Sequence, residues 1–451
     1  MKEHIHEVLR NIPDSYERLA ASLKTRWLSH RVRVSGRPAP SGLDIAIYDR
    51  IAAVPPGVWN GCNRAKDIFL SPEYLGALEK APPANIDFRY VVFSEKETPV
   101  AIAYFQIVKL DYRLHQPATA SMFSRRRTPL VELHERLAGS VSHRILICGN
   151  ALLSGEHGYV VAQGDASRVL HAIAEAAYAI RKSVGHHVSV TLLKDFCDRN
   201  RHPTEVLSRF GYYAVDAGPS MIVPIRESWT SFDHYLKQMK AKYRRRVTDA
   251  AKKGAKIRRQ SLDSETIVKY RDELYALYGE VVDEAGFRLF FLSPDYLAEL
   301  KKRLGDRFVC DAYFDGATLV GFTTRIFNGR EMEGYTHGVN YAVNKSFELY
   351  QNFLLDDIRA AISAKCTRVN TGRTSIAMKS AVGAVPETMK CHLRFSGKVS
   401  NLMIKPLLSL IKPSEEHCRR PFDDGEGIEQ TPGGVEMAKG GHEGKSDRTR
   451  P

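Results

Sequence analysis

The sequence predicts an α+β protein in which one domain, a mixed central sheet flanked by helices, occurs twice in tandem. Three observations predict it. The first is an internal repeat: Phe69-Leu-Ser-Pro-Glu-Tyr-Leu-Gly-Ala-Leu78 returns as Phe291-Leu-Ser-Pro-Asp-Tyr-Leu-Ala-Glu-Leu300, identical at seven of ten positions. The second is that each copy is followed by two alternating, β-rich runs separated by a turn, the signature of a hairpin. The third is that both halves then continue as strand, helix, strand.

Each copy of the repeat reads as a helix start. Ser71 and Ser293 suit the N-cap, Pro72 and Pro294 suit N1, and an acid follows where the helix dipole favours one. The first hairpin is predicted from residues 89–93 and 99–108 around a polar turn at 94–98. The second is predicted from 308–314 and 319–327 around Asp315-Gly316, a strong hairpin turn. In the first half, strands are expected at 144–148 and 159–161, flanking a Gly-rich stretch. A helix follows at 167–184, with Val169, Leu170, Ile173, Ala177 and Ile180 on one stripe, and then a strand at 187–193. In the second half, 332–339 is a strand and 346–364 a helix striped by Phe347, Tyr350, Leu354, Ile358 and Ile362. A strand at 367–371 follows. The first half carries an extra segment, 111–141, containing Arg125-Arg126-Arg127.

These elements set the expected boundaries. Residues 1–43 form a helical lead-in and linker, 44–228 the first domain and 229–412 the second. The strand at 221–225 is expected to close the first domain. The second opens on one long basic helix, 231–254, whose stripe includes Phe232, Leu236, Met239, Tyr243, Val247 and Ala250. Beyond residue 413 the composition loses periodicity, and a disordered tail is expected.

The chain has 451 residues and a net charge of +14. The segment 237–259 alone holds eleven Lys or Arg against one acid, whereas 413–451 holds six bases against nine acids. One localised anionic partner is therefore indicated, rather than a protein that coats nucleic acid. The seven cysteines are dispersed, with no zinc spacing, and read as buried thiols of a reducing compartment. No metal site is expected. The N-terminus lacks the apolar core of a signal peptide, and the longest apolar runs are about half a membrane span. The expected location is the cytoplasm, with a peripheral place at the inner membrane face as a variant.

The ordered set of features resembles the GNAT acyltransferase fold present twice in tandem. More closely, it resembles the FemAB-like proteins and the acyltransferases often described with them. Trp229-Thr-Ser-Phe-Asp-His-Tyr-Leu236 with Lys242-Tyr-Arg-Arg-Arg246 carries the resemblance. So do the hairpin, strand and helix order and Asn370-Thr-Gly-Arg-Thr-Ser-Ile-Ala-Met-Lys379 before Gly383. It covers about residues 45–410. One departure stands out. The Arg/Gln-x-x-Gly-x-Gly/Ala run usual in acyl-CoA-binding members has no full match in this chain.

The resemblance implies transfer of an acyl group, with acyl-CoA as co-substrate, to an amine of a small-molecule or lipid-linked acceptor. It further implies that the fourth strand splays from the fifth, that backbone N–H groups there polarise the carbonyl, and that the next helix start faces the donor's phosphates. In the second half that strand is 332–339. Simple alternation puts Glu333, Tyr335 and His337 on one face and Gly334, Thr336 and Gly338 on the other. Glu333 or His337 would take the amine proton and Tyr335 would donate to the leaving group. His337 is favoured because its ordinary pKa lies near neutrality. The plain alternative is a polar strand face with structural hydrogen bonds only.

Asn344, Lys345 and Ser346 are expected at the next helix start as phosphate contacts or as an ordinary cap, with Tyr350 and Gln351 one turn on. Arg373 and Lys379 are expected either to meet an anion or to be solvated. On the basic helix, Lys240, Arg244 and Arg245 are expected to face an anionic donor, RNA, tRNA or membrane surface, or solvent. Two other functions fit the same residues. One is an aminoacyl-tRNA-dependent aminoacyltransferase acting on a peptidoglycan precursor. The other is a non-catalytic module that keeps the fold and binds RNA or membrane. Glu156 and His157 are expected on a flexible surface loop.

Overall fold

The computed structural model describes residues 38–110, 143–184, 188–284, 290–397 and 418–423. Most of the lead-in (1–37), the insertion 111–141, an apolar stretch at 401–411 and the tail beyond 423 lie outside the described residues.

The first half runs β1 (Asp44–Tyr48), α1 (Val58–Cys62), α2 (Pro72–Lys80), β2 (Ile86–Glu95), β3 (Thr98–Leu110), β4 (His143–Cys148) and β5 (Tyr159–Val161). It continues with α3 (Ala166–Ser183), β6 (Val188–Cys197), α4 (Glu205–Ser208), β7 (Tyr213–Asp216) and β8 (Ser220–Pro224). The second half runs α5 (Phe232–Gln238), α6 (Ala241–Gly254), β9 (Arg258–Leu262), α7 (Ser264–Lys269), α8 (Arg271–Glu284), α9 (Tyr296–Leu304), β10 (Phe308–Asp315) and β11 (Thr318–Asn328). Then come β12 (Glu331–Val339), α10 (Tyr341–Phe347), α11 (Leu349–Ser363), β13 (Arg368–Asn370), α12 (Ile376–Ala381), β14 (Val385–Glu387) and β15 (Met389–Phe395).

The architecture is α+β, with two mixed sheets flanked by helices. One sheet has the order β1-β2-β3-β4-β6-β15-β7, with β5 also on β3. The other has the order β14-β8-β13-β12-β11-β10-β9. Among the described residues each sheet contains one parallel pair, β4 with β6 and β12 with β13.

The strand at 220–224 does not close its own half, as the sequence suggested. It enters the second sheet between β13 and β14, and β15 enters the first sheet between β6 and β7. The exchanged strands follow short linkers. Only Thr388 separates β14 from β15, and only Ala217–Pro219 separate β7 from β8. The chain runs straight on and each half completes the other.

Both repeat segments form their helices. Ser71 caps α2 by accepting from Tyr74 N–H. The second copy starts later than expected: α9 begins at Tyr296 with Asp295 as N-cap, because its first turn closes by a tighter bond from Tyr296 N–H to Ser293 C=O. The two repeat helices contribute to one core that spans both halves and holds Tyr74, Leu75, Leu78, Tyr296, Leu300 and Leu304.

The basic segment is two helices, not one. The chain is extended at Met239 and Lys240, and α6 starts afresh at Ala241. Both hydrophobic anchors gain from the break: Tyr235 of α5 and Val247 of α6 each reach the same core. Likewise the expected helix 346–364 is split. Asn340 caps α10, Glu348 takes a left-handed conformation, and α11 begins at Leu349.

Residues 418–423 correct the expectation for the tail. Phe422 is buried against Trp229 and Tyr235, with the Arg226 guanidinium 4.8 Å from its ring centre. Gly383 is required here, since a Cβ would stand 2.6 Å from the Phe422 ring. Substituting Phe422→Ala should cost roughly 3–5 kcal/mol, measured by urea denaturation of the full chain. Six of the cysteines are buried thiols and Cys418 is exposed.

Candidate active site

The second sheet opens where its parallel pair ends. β12 and β13 pair only from Glu331/Arg368 to Glu333/Asn370. Beyond that point Thr371 donates its N–H and hydroxyl to Met221 of β8, which draws the chain away from β12. Asn370 pins the fork: its amide oxygen accepts from the Ser220 hydroxyl at 2.6 Å and its amide nitrogen donates to Ser154 C=O at 3.0 Å. A cavity of about 340 Å³ lies at this opening.

β12 itself is bulged. Thr323 faces His337 and Arg325 faces Gly334, so Thr324 alone opposes Tyr335 and Thr336. The extra residue inverts the alternation beyond it. His337 therefore shares the α11 side of the sheet with Gly334, and Glu333 faces the other way. The expected single face of Glu333, Tyr335 and His337 does not form. Glu333 and His337 both line the cavity, because it occupies the fork between strands.

His337 is half-buried, with Tyr350 5.3 Å and Phe353 6.4 Å from its ring centre. Burial, reinforced by the Lys379 charge, lowers its pKa to about 4, so the imidazole is neutral at pH 7. Lys379, on α12, is 2% exposed and has no hydrogen-bond or ion-pair partner among the described residues. Burial brings its ammonium down to about 8, with Glu333 opposing. Burial holds the Glu333 carboxyl well above the usual carboxylate range; Asn370 and the nearby cations offset this only in part.

Tyr335 also lines the cavity, but its hydroxyl is already engaged. Its hydroxyl bonds the Tyr74 hydroxyl at 2.9 Å and the Tyr296 hydroxyl at 2.6 Å. Those two tyrosines are the matching positions of the internal repeat, so Tyr335 ties the two halves together. Tyr335→Phe is expected to lower stability by about 1 kcal/mol and to leave the transfer rate close to wild type, read from parallel denaturation and transfer assays.

Arg373 lines the cavity and shares Asp195, on β6, with Lys194. It also donates to Ala217 C=O at 3.1 Å, which leaves its Nε buried without a partner. Tyr350 lines the cavity too, with its pKa pushed up to about 12 by burial. Asn344, Lys345 and Ser346 are not brought into it. Asn344 accepts from Tyr350 N–H at 3.2 Å, Lys345 and Ser346 are exposed, and all three end the short helix α10.

On the basic helices, Lys240 pairs with Asp423 at 3.1 Å, and Arg244 donates to Lys237 and Met239 carbonyls at the end of α5. Arg245 faces solvent. It lies with Lys242, Arg246 and Lys253 around a shallow site of about 250 Å³ that reaches Glu348 and Gln351 at the start of α11.

The corresponding fork of the first sheet is filled by its own chain. The loop after β4 is bonded to β6, with Gly155 N–H donating to Asp195 at 2.9 Å and Lys194 donating to Leu153 C=O at 2.7 Å, and its residues Ala151–Ser154 form one wall of the second-sheet cavity. Glu156 and His157 are consequently not surface residues. His157 pairs with Asp67 at 2.7 Å, and Glu156 binds His202, Asn200 and Cys197 N–H.

Sequence reasoning missed Asp357. It lies on α11, is 4% exposed and lines the cavity. Its signal was a pair of acids, Asp356-Asp357, inside an otherwise apolar stretch of helix. Arg325 donates to its Oδ1 at 3.0 Å. Burial raises its carboxyl to about 6, with Arg325 opposing. Among the described residues no group of side chains is arranged to hold a metal ion, and no helix is long and apolar enough to cross a membrane.

No family model and no curated protein matches the chain. Several solved structures resemble it. FemX is 12% identical, with 74% of this chain and 96% of that one covered and a TM-score of 0.44. A tandem GNAT protein from the clavulanic acid biosynthesis pathway is 10% identical, with 78% and 99% covered and a TM-score of 0.45. The C-terminal domain of a putative lysylphosphatidylglycerol synthetase from Agrobacterium fabrum is 11% identical, with 69% and 86% covered and a TM-score of 0.40.

Proposed function

We propose that the protein is an acyltransferase that moves an acyl group from acyl-CoA to an amino group by direct attack, in the cavity at the fork of the second sheet. One observation carries this reading. The fork between β12 and β13, with β12 bulged against β11, holds a neutral imidazole and a buried ammonium without a partner among the described residues in one cavity. The donor's carbonyl lies in the fork, where β12 has unpaired backbone toward β13. The neutral amine attacks, its nitrogen bonds to the carbonyl carbon, and the carbon–sulfur bond breaks, with the sulfur leaving as the CoA thiolate that takes up the proton removed from the nitrogen. His337 accepts the proton. At a pKa of about 4 it is too weak a base for a free ammonium. It suffices once the nitrogen has bonded to the carbonyl carbon and become strongly acidic. The protonated Lys379 supplies charge to an anionic group of a substrate or to the developing oxyanion.

A second donor, aminoacyl-tRNA, is favoured by the shallow site at the start of α11, where Lys242, Arg245, Arg246 and Lys253 outnumber Asp249 and Glu348, with Lys253 paired to Glu348 at 3.1 Å. That site suits a phosphate-rich donor entering over the helix. An anionic RNA or membrane partner would use the same surface. Native mass spectrometry of freshly purified protein tests these readings. A bound CoA species supports the first and bound tRNA the second. Recovery of neither, together with no transfer from either donor to any amine, would leave only the non-catalytic module.

A further inference from the structure

The acyltransferase reading leaves the acceptor open, and the cavity holds a group that the proposed chemistry does not use. Asp357 presents only one oxygen to Arg325. Its Oδ2 has no hydrogen-bond partner among the described residues. Gly334 keeps the approach to it open: a Cβ there would stand 3.1 Å from Oδ2 and 3.4 Å from Asn370 O. His337 shares this side of the sheet through the bulge. Lys379 supplies the opposite charge to the same cavity, buried and with no hydrogen-bond or ion-pair partner among the described residues; Glu333, whose carboxyl burial holds well above the usual carboxylate range, shares the cavity with it.

We infer that the acceptor is a zwitterion, an amine that also carries a carboxylate or phosphate, with its ammonium on Asp357 and its acidic group on Lys379. A carboxylate with one free oxygen recognises an ammonium by a charge-assisted hydrogen bond, and a buried ammonium without a partner requires an anion. Placed on Asp357, the ammonium stands beside Gly334, where the fork opens, on the side of the sheet that carries His337, and it gives one proton to the Asp357 carboxylate before the neutral amine attacks. Arg325 holds Asp357 in place from beneath: it also pairs with Asp311 at 2.8 Å. The inference rests on the amine-acceptor reading for its chemistry, but binding alone tests it.

Isothermal titration calorimetry of the full chain, without donor, separates the two ends. The probes are glycine, β-alanine, 4-aminobutanoate and 6-aminohexanoate, with butylamine and butyrate as one-ended controls, and aminomethylphosphonate to set phosphonate against carboxylate. At least one zwitterion is expected to bind about tenfold or more tightly than either control, the worth of one charged hydrogen bond. Asp357→Asn should remove the advantage over butyrate, and Lys379→Met the advantage over butylamine. Affinity for the amine end should fall as pH drops through about 6, where Asp357 protonates. Circular dichroism of both variants establishes that they fold; should Asp357→Asn not fold, Gly334→Ala, which narrows the approach, replaces it. Equal affinity for zwitterions and controls, or unchanged preference in both variants, overturns the inference. Zwitterion binding without any acyl transfer would instead sink the acyltransferase reading and leave the recognition intact. Transfer to amines with no dependence on an acidic group would do the reverse.

Discussion

Lys379→Met is expected to make the protein more stable by about 3 kcal/mol at pH 7 and to abolish transfer. The lysine's folded pKa, about 8, lies below its ordinary 10.5. Each unit of that difference corresponds to about 1.4 kcal/mol. The sign follows from linkage. Below pH 8 both folded and unfolded chains hold the proton, and the folded chain bears the full cost of a buried charge. Between pH 8 and 10.5 the folded chain releases the proton first, and the cost is relieved. Urea denaturation should therefore show a large gain for the variant at pH 7 that shrinks toward pH 10. A residue kept at such a cost is the mark of a site that needs the charge. If the variant is instead less stable at pH 7, the ammonium has a structural partner and its assignment to a substrate fails.

His337→Ala is expected to lower kcat by about a hundredfold or more, the usual worth of a positioned general base, with little change in stability. The pH profile distinguishes this from a packing defect. The wild-type imidazole stays neutral down to about pH 4. At saturating acceptor, kcat should therefore show no acid limb near 6.5. An acid limb near 6 should appear in KM instead, if Asp357 binds the amine. A kcat limb at 6.5 would mean that a more exposed histidine is the base.

The fold was legible where local pattern decides structure. The repeat, both hairpins and the helix at 166–183 stand close to where periodicity places them. The strand exchange was not legible, because β8 and β15 carry no mark of which sheet they join, and the three residues before β8 would serve a hairpin as well as a crossing. The broken basic helix has a similar cause. The apolar stripe from Phe232 to Ala250 is continuous in sequence, but docking Tyr235 and Val247 on one core bends the chain at Met239 and Lys240.

At the site, residue type was informative and geometry was not. His337, Glu333, Tyr350, Arg373 and Lys379 do converge on one cavity. Strand alternation failed at the bulge opposite Thr324, which no local signal announces, and so the facing of His337 was misjudged. Tyr335 looked like a donor because nothing in sequence ties it to Tyr74 and Tyr296 across the two halves. Asp357 was passed over because it lies inside an apolar helix, where only the cavity beside Gly334 gives it a purpose.

Single-turnover transfer of a labelled acyl group tests whether an amine is acylated in the second-sheet fork. Wild type, His337→Ala and Lys379→Met would be incubated with labelled acyl-CoA, or with labelled aminoacyl-tRNA, and a panel of amino acids and amino-phosphonates. The account predicts a labelled amide from wild type, at least about a hundredfold less from His337→Ala, and none from Lys379→Met. No labelled amide from either donor, or an equal yield from all three proteins, would contradict it.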